Sequence, residues 1–226
     1  MNHFTVLMRF LRDRDKFLDE IEQGKRLEKT IVALLICSSL FFAFYGAIMG
    51  SFSGGLQIFA SAVKLPALYL LTLIICLPTL FFYDVISGSK RTFAQYLTLL
   101  LAAMAIISVM LFGFAPVTLF FRLSINDYQF FTLLNVVILT ISGIVGVRFF
   151  YRSMIAIAKT DGNSSQYRTK VIRGWLVLYG FVGSQLGWTL RPFFGDPDRP
   201  FALFRNIESN FYFHLLQLIG SLLGIN

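Results

Sequence analysis

Charged residues are scarce in this sequence. They make up 14% of the chain, whereas about 25% is typical of a soluble globular domain. A chain of 226 residues has a large surface, and so few charges cannot cover it. Hydrophobic residues supply 56% of the sequence, which excludes a disordered chain of low hydrophobicity and high charge. The composition therefore predicts a protein whose main solvent is lipid.

Cysteine and histidine are also rare, with two of each. Cys37 and Cys76 lie inside apolar runs, where small buried hydrophobic residues are expected rather than a disulfide or a metal pair. His3 and His214 stand near opposite termini, and the sequence carries no nucleotide-binding, nucleophile-elbow or zinc-protease motif. We therefore expect no enzyme activity, no metal and no cofactor.

Acidic residues are outnumbered, with 12 Asp and Glu against 20 Lys and Arg. In a soluble chain this excess would indicate a nucleic-acid partner. Here the basic residues flank apolar runs, which is typical of contact with lipid headgroups, so no nucleic-acid partner is expected. Most of them precede the first apolar run or lie in alternate connections between later runs. By the positive-inside rule, this places the N-terminus in the cytoplasm.

Five apolar segments approach the ~20 residues that a helix needs to cross about 30 Å of hydrocarbon. They are Thr30–Gly50, Leu65–Ser87, Phe93–Ala115, Phe130–Arg148 and the shorter Trp175–Arg191. The predicted fold class is all-α: a polytopic integral membrane helical bundle with five transmembrane helices plus amphipathic or re-entrant segments.

Three other apolar stretches are too short or too polar for a full span: Ser51–Val63, Pro116–Leu123 and Ser209–Leu223. Each is predicted to be an interfacial helix or a re-entrant element, and the last could instead be a short sixth span. The chain then divides into a cytoplasmic amphipathic arm (1–29), a five-span bundle (30–206) and a C-terminal interfacial or short membrane helix (207–226). The arm is expected to lie on the cytoplasmic leaflet or on another protein, with a solvated helix before the first span as the alternative.

Small residues recur at helical spacing in two of the spans. Gly46, Gly50 and Gly54 form overlapping Gly-x-x-x-Gly units, and Gly180, Gly183 and Gly187 follow in the last span. In lipid, small residues favour helix packing because they let two backbones approach closely. These glycines are the predicted packing positions, either within one chain or between chains.

Four polar residues are predicted at membrane depth: Asp84, Asn135, Gln185 and Arg191. Asp84 could be a proton-relay carboxylate or a helix-end residue paired with Lys90 and Arg91. The other three, with Lys64, gather toward the outer half of the bundle. They predict either a small polar cavity that opens outward or hydrogen bonds that hold the helices together.

The five-span layout, the amphipathic arm and the glycine-rich helices resemble the Yip family of small membrane proteins, in particular bacterial Yip-domain-like sequences. The resemblance is carried by the stretches GAIMGSFSGGLQIFASAVKLPALYLLTLIICLPTLFFYDVISG (46–88) and YGFVGSQLGWTLRPFFG (179–195). The Asp-Leu-Tyr-Gly-Pro signature of the eukaryotic trafficking members is absent. The resemblance implies a non-enzymatic membrane protein that acts by association with proteins or lipids.

The sequence therefore predicts a multi-pass protein of the bacterial inner (plasma) membrane, with the lipid bilayer and other membrane proteins, or further copies of itself, as partners. The leading interpretation is an accessory or scaffold subunit of a membrane protein assembly. The alternative is a channel or transporter subunit that forms its pathway by homo-oligomerisation.

Overall fold

The computed structural model describes residues 2–89, 91–125, 127–160, 166–195 and 201–204, and in these ranges the regular structure is entirely helical. This confirms the all-α prediction for the described residues. The helices are α1 (His3–Arg12), α2 (Arg14–Glu22), α3 (Leu27–Gly50), α4 (Gly55–Ile86), α5 (Phe93–Ser124), α6 (Tyr128–Thr160) and α7 (Gln166–Thr189). The predicted C-terminal element at 207–226 lies outside the described residues.

Helices α3 to α6 are each long and apolar enough to cross a membrane. They contain the first four predicted spans, except for Ser87, which caps the C-terminus of α4. Residues 175–189 of the fifth predicted span lie in α7, which has 24 residues but is not among the candidates by length and composition. Its first turns carry Arg168, Lys170 and Arg173, and its second half mixes glycine, serine and glutamine with apolar residues. The membrane character of the bundle thus rests on four helices, and the fifth span stays a prediction.

Two predicted interfacial or re-entrant elements are continuous helix instead. Residues 55–63 form the first turns of α4, while only 51–54 make the turn that precedes it. Pro116–Leu123 continues α5 to Ser124 with Pro116 inside the helix. Proline is tolerated in such helices because neighbouring groups satisfy the backbone that it frees. Arg122 is accommodated at this end by the Phe52 ring, whose centroid lies 4.4 Å from its guanidinium carbon.

The helices α3, α4 and α5 form the centre of the bundle. Helix α3 packs against both α4 and α5, α6 packs on α5, and α7 packs on α4. Of the four candidate spans, α5 is the most buried. Phe150 of α6 and Trp175 of α7 meet with ring centroids 5.3 Å apart, which joins the two outer helices.

The N-terminal arm is two short helices rather than one. Asp13 separates them and caps α2, since its side chain accepts a hydrogen bond from the backbone N–H of Lys16 at 3.2 Å. Four apolar residues of the arm are buried in the core of the bundle, Leu7, Phe10, Phe17 and Ile21, whereas Phe4 and Met8 are exposed. This arm therefore packs its main apolar stripe against the bundle itself, so that surface is not available to the leaflet. We call the end of the bundle that carries α1 and α2 the arm end, and the opposite end the loop end.

Candidate functional site

The central polar site joins three helices through one tyrosine. Tyr45 of α3, Thr118 of α5 and Asn135 of α6 each have 0% of their surface exposed. The Tyr45 hydroxyl donates to Asn135 Oδ1 at 2.9 Å and lies 3.3 Å from Thr118 Oγ1. Asn135 Nδ2 donates to the carbonyl of Phe131 at 2.8 Å. Asn135 thus holds helices together, which is the second of its two sequence-based interpretations.

Replacing Tyr45 by phenylalanine should destabilise the protein modestly. The change leaves the buried Asn135 Oδ1 without its tyrosine donor, at a cost of about 1 kcal/mol or somewhat less between membrane helices. We expect the melting temperature in detergent to fall by about 2–4 °C. The control is Tyr69→Phe, because the Tyr69 ring stacks on Phe42 at 4.2 Å and its hydroxyl bonds to none of the described residues. A larger loss in the control than in Tyr45→Phe would contradict the assignment.

The loop-end polar site is one face of α4 that holds the chain after α7. Gln57 Nε2 donates to the carbonyl of Pro192 at 3.0 Å, and Ser61 Oγ donates to that of Phe193. Lys64 is buried, and its Nζ donates to the carbonyl of Pro192 at 3.1 Å and to that of Leu203. These side chains lie three to four residues apart, so α4 presents them together.

Two more contacts fix the same loop. Ser53 Oγ donates to the carbonyl of Phe194 at 2.9 Å, and the Tyr128 hydroxyl donates to that of Gly195 at 2.6 Å.

Arg191 stacks on Trp188, with its guanidinium carbon 3.4 Å from the ring centroid. The backbone carbonyl of Gln185 accepts from the Thr189 hydroxyl at 2.9 Å. The polar set predicted for the outer half of the bundle is therefore divided: Lys64 holds the loop, whereas Asn135 belongs to the central site.

The arm-end polar site surrounds the connection between α4 and α5. Asp84 is 1% exposed and accepts a hydrogen bond from the Tyr96 hydroxyl, which also lies 2.7 Å from Ser89 Oγ. Arg91 donates to the carbonyl of Ile157 at 3.0 Å and lies 3.6 Å from a carboxylate oxygen of Glu22. Lys90, the other predicted partner of Asp84, is outside the described residues. The aspartate is thus part of a buried helix-end network that includes a tyrosine.

Gln95 also belongs to the arm-end site, because its side chain bonds to the backbone of the arm. Its Nε2 donates to the carbonyls of Ile21 and Glu22 at 2.8 and 2.9 Å. Its Oε1 accepts from the backbone N–H of Thr92 at 2.8 Å, which closes the capping box of α5. The Gln95 side chain therefore caps the N-terminus of α5 and also binds the C-terminal end of α2.

The predicted glycine positions separate into two groups. A Cβ added to Gly46 would overlap the carbonyl oxygen of Ser61, and one added to Gly50 would overlap that of Gln57. These two glycines allow α3 and α4 to approach closely. An added Cβ on Gly183 would make an ordinary contact of 3.7 Å with Thr72.

The other three predicted packing glycines do not pack within the described part of the chain. An added Cβ on Gly54, Gly180 or Gly187 has no described heavy atom within 4 Å. Gly54 instead serves the turn before α4, where its φ of 104° is a conformation that side-chain-bearing residues rarely adopt. Gly180 and Gly187 lie on a flank of α7 away from its contact with α4.

Sequence reasoning missed several of these positions. Gln57, Ser61 and Gln95 lay in stretches interpreted as interfacial or as span ends, so their partners were not sought. Gly146 was also missed, although its added Cβ would overlap Ile107 of α5. The available signal for Gln57, Ser61 and Lys64 was their helical spacing, which places them on one face of a continuous helix.

In the described residues, the fold and these contacts define an all-α bundle in which four helices are long and apolar enough to span a membrane, and the three polar sites join helices and loops of the chain. The chain matches no family model, no curated protein and no solved structure when it is compared with each. The resemblance to the Yip family therefore remains a prediction.

Proposed function

We propose that this chain is a non-enzymatic, five-span protein of the bacterial inner membrane that serves as an accessory or scaffold subunit of a membrane protein assembly. The polar side chains inside the bundle support this proposal, because the three polar sites bond to helices and loops of the same chain. The lipid bilayer and at least one other membrane protein are the partners that it requires.

A fifth span is supported by the path of α7. In the half of α4 nearer the arm end, Trp175 Nε1 donates to the carbonyl of Cys76 at 3.1 Å. Farther along, Gly183 lies beside Thr72, and the chain after α7 reaches Gln57 at the loop end. Helix α7 therefore runs antiparallel to α4 along the length of a candidate span. With the excess of basic residues on the arm side, the proposed orientation puts the arm end in the cytoplasm.

Cysteine labelling tests this topology. In a background without Cys37 and Cys76, which are 6% and 1% exposed, we expect Asn163→Cys to be labelled only from the cytoplasmic side. We expect Asp198→Cys to be labelled by a membrane-impermeant maleimide added outside. Both cysteines reacting from one side would mean that α7 does not cross, and the orientation would have to be revised.

The observation that carries the scaffold proposal is a flank of α7 whose glycines no other described residue contacts. Gly180 and Gly187 share this flank because they are seven residues apart, which is close to two helical turns. No described heavy atom lies within 4 Å of a Cβ added to either glycine. A flank of small residues suits close approach by a helix of another membrane protein.

The test is purification of the chain from its native membrane in mild detergent, followed by native mass spectrometry. We expect a co-purifying membrane protein that is lost in Gly187→Leu, because leucine would fill the space that a partner backbone occupies. Gly174→Leu is the matched control: the same change on the same helix, also with open space around it, but on a different face.

Each outcome of this test has a clear meaning. A strictly monomeric chain without a partner would refute the scaffold proposal. A closed ring of identical chains would favour the alternative, a channel or transporter subunit. Loss of the partner in Gly174→Leu as well would show that the flank has no special role.

A further inference from the structure

A cavity of about 650 Å³ lies between the arm and the start of α3. Its charged lining comes from Arg9 and Glu20 of the arm and from Arg26, Glu28 and Lys29 at the beginning of α3. In the membrane orientation proposed above, this is the level where the cytoplasmic headgroups meet the first span.

The charges around this cavity favour an anion. Arg9 and Glu20 form an ion pair with each other. Arg26 and Lys29 form no ion pair with any described residue, and a single acidic residue, Glu28, remains to oppose them. Two basic side chains at a headgroup level are a typical attraction for anionic lipid.

An apolar groove of about 410 Å³ adjoins the charged cavity. Its apolar lining includes Phe4 of α1 and Ile36, Leu40 and Phe41 of α3. Asn2 and His3 are the polar part of the lining, and His3 also lines the cavity. Lys29 and Leu40 are eleven residues apart on one helix, which is about 16 Å at 1.5 Å per residue. That distance matches one leaflet of a hydrocarbon core about 30 Å thick.

We propose that the arm and α3 form a binding site for one anionic phospholipid of the cytoplasmic leaflet. The headgroup phosphate lies in the charged cavity near Arg26 and Lys29, and one acyl chain lies in the groove along Ile36 and Leu40. The two spaces are neighbours, since His3 lines both, and this specifies a phospholipid rather than a soluble phosphate, because a soluble phosphate has nothing to place in the groove. The site depends on α3 being in the membrane, but not on the scaffold role.

Native mass spectrometry of the full chain with phosphatidylglycerol or phosphatidylcholine of identical acyl chains tests the headgroup half. We expect phosphatidylglycerol to be retained preferentially, and the double change Arg26→Gln with Lys29→Gln to weaken its binding about tenfold or more. The control removes the same charge from exposed arm positions that do not line the cavity, Arg14→Gln with Lys16→Gln. An equal loss in the control, or no preference for phosphatidylglycerol, would overturn the proposal.

A pair of neighbouring residues tests the groove half. Ile36 lines the groove and is 39% exposed, while Leu35 is 36% exposed and does not line it. We expect Ile36→Trp to fill the groove and reduce lipid retention severalfold, and Leu35→Trp to leave it unchanged. Excess inorganic phosphate should not displace the lipid. Displacement by phosphate, or equal retention in the two tryptophan variants, would show that the groove holds no acyl chain, and the co-purification test above would be unaffected.

Discussion

Replacing Gly50 by leucine is expected to cause the largest loss of stability of any single change considered for this chain. The new Cβ would overlap the carbonyl oxygen of Gln57 and lie 2.9 Å from Ser61 Oγ. The Gln57 carbonyl and the Gly50 backbone are both part of a helix, so the overlap can be relieved only if α3 and α4 move apart. Gln57 and Ser61 also hold the loop after α7, so their displacement would release that loop. Overpacking of this kind costs about 3 kcal/mol, which corresponds to a fall of about 6–12 °C in melting temperature.

The measurement is thermal unfolding in detergent, followed by tryptophan fluorescence. Gly187→Leu is the matched control, because the same side chain enters a place with no described heavy atom within 4 Å. Leucine on a lipid-facing surface is readily accepted by the bilayer. We expect the isolated control chain to melt within about 2 °C of the unmodified protein. Equal destabilisation by the two changes would mean that close contact between α3 and α4 is not what makes Gly50 necessary.

The sequence predicted the long helices well because the underlying requirement is simple. A chain in lipid must satisfy its backbone hydrogen bonds within each segment, so long apolar runs such as Phe93–Ala115 become helices. The same requirement explains the error at Pro116 and at residues 55–63. Both stretches were judged too short or too polar for a span of their own, but residues 116–123 extend α5 beyond its apolar run and residues 55–63 form the start of α4.

Packing partners were predictable only in part. Helical spacing shows which residues share a face of a helix, but not which neighbouring helix that face contacts. Gly46 and Gly50 do contact α4, whereas Gly54, at the same spacing, is needed for its positive φ. In α7, the contact side is set by Trp175 and Tyr179 rather than by Gly180 and Gly187.

The polar contacts depended on residues far apart in the sequence. Asn135 was recognised as an amide at membrane depth. Its partner Tyr45 is 90 residues away, and no local sequence feature distinguishes Tyr45 from the other tyrosines of the chain. The arm was recognised as amphipathic, but nothing in its pattern distinguishes a bundle surface from a leaflet. The carbonyls of Ile21 and Glu22 that receive Gln95 are backbone groups, which leave no sequence signal at all.

The hydrogen bonds from Gln95 to the arm lead to the second prediction with a large effect. Gln95→Glu keeps the oxygen that accepts from Thr92 and so keeps the cap of α5. It replaces the amide donor by a carboxylate oxygen, which would face the carbonyls of Ile21 and Glu22. Two hydrogen bonds are lost, each contributing about 1 kcal/mol, and like partial charges are brought together. We therefore expect the arm to leave the bundle roughly ten to thirty times more often.

Limited trypsin digestion in detergent measures this opening, because the turn with Lys25 and Arg26 must unfold to enter the protease, and the Gln95 hydrogen bonds to Ile21 and Glu22 hold the chain just before it. Cleavage after these two residues should accelerate about tenfold or more in Gln95→Glu, in step with the population of the open arm. Gln129→Glu makes the same chemical change at an exposed position of α6 near the loop end, and we expect it to leave the cleavage rate unchanged. If both variants were cut at the rate of the unmodified chain, the Gln95 amide would not be what holds the arm, and the ion pair of Arg91 with Glu22 and the buried Phe17 and Ile21 would suffice.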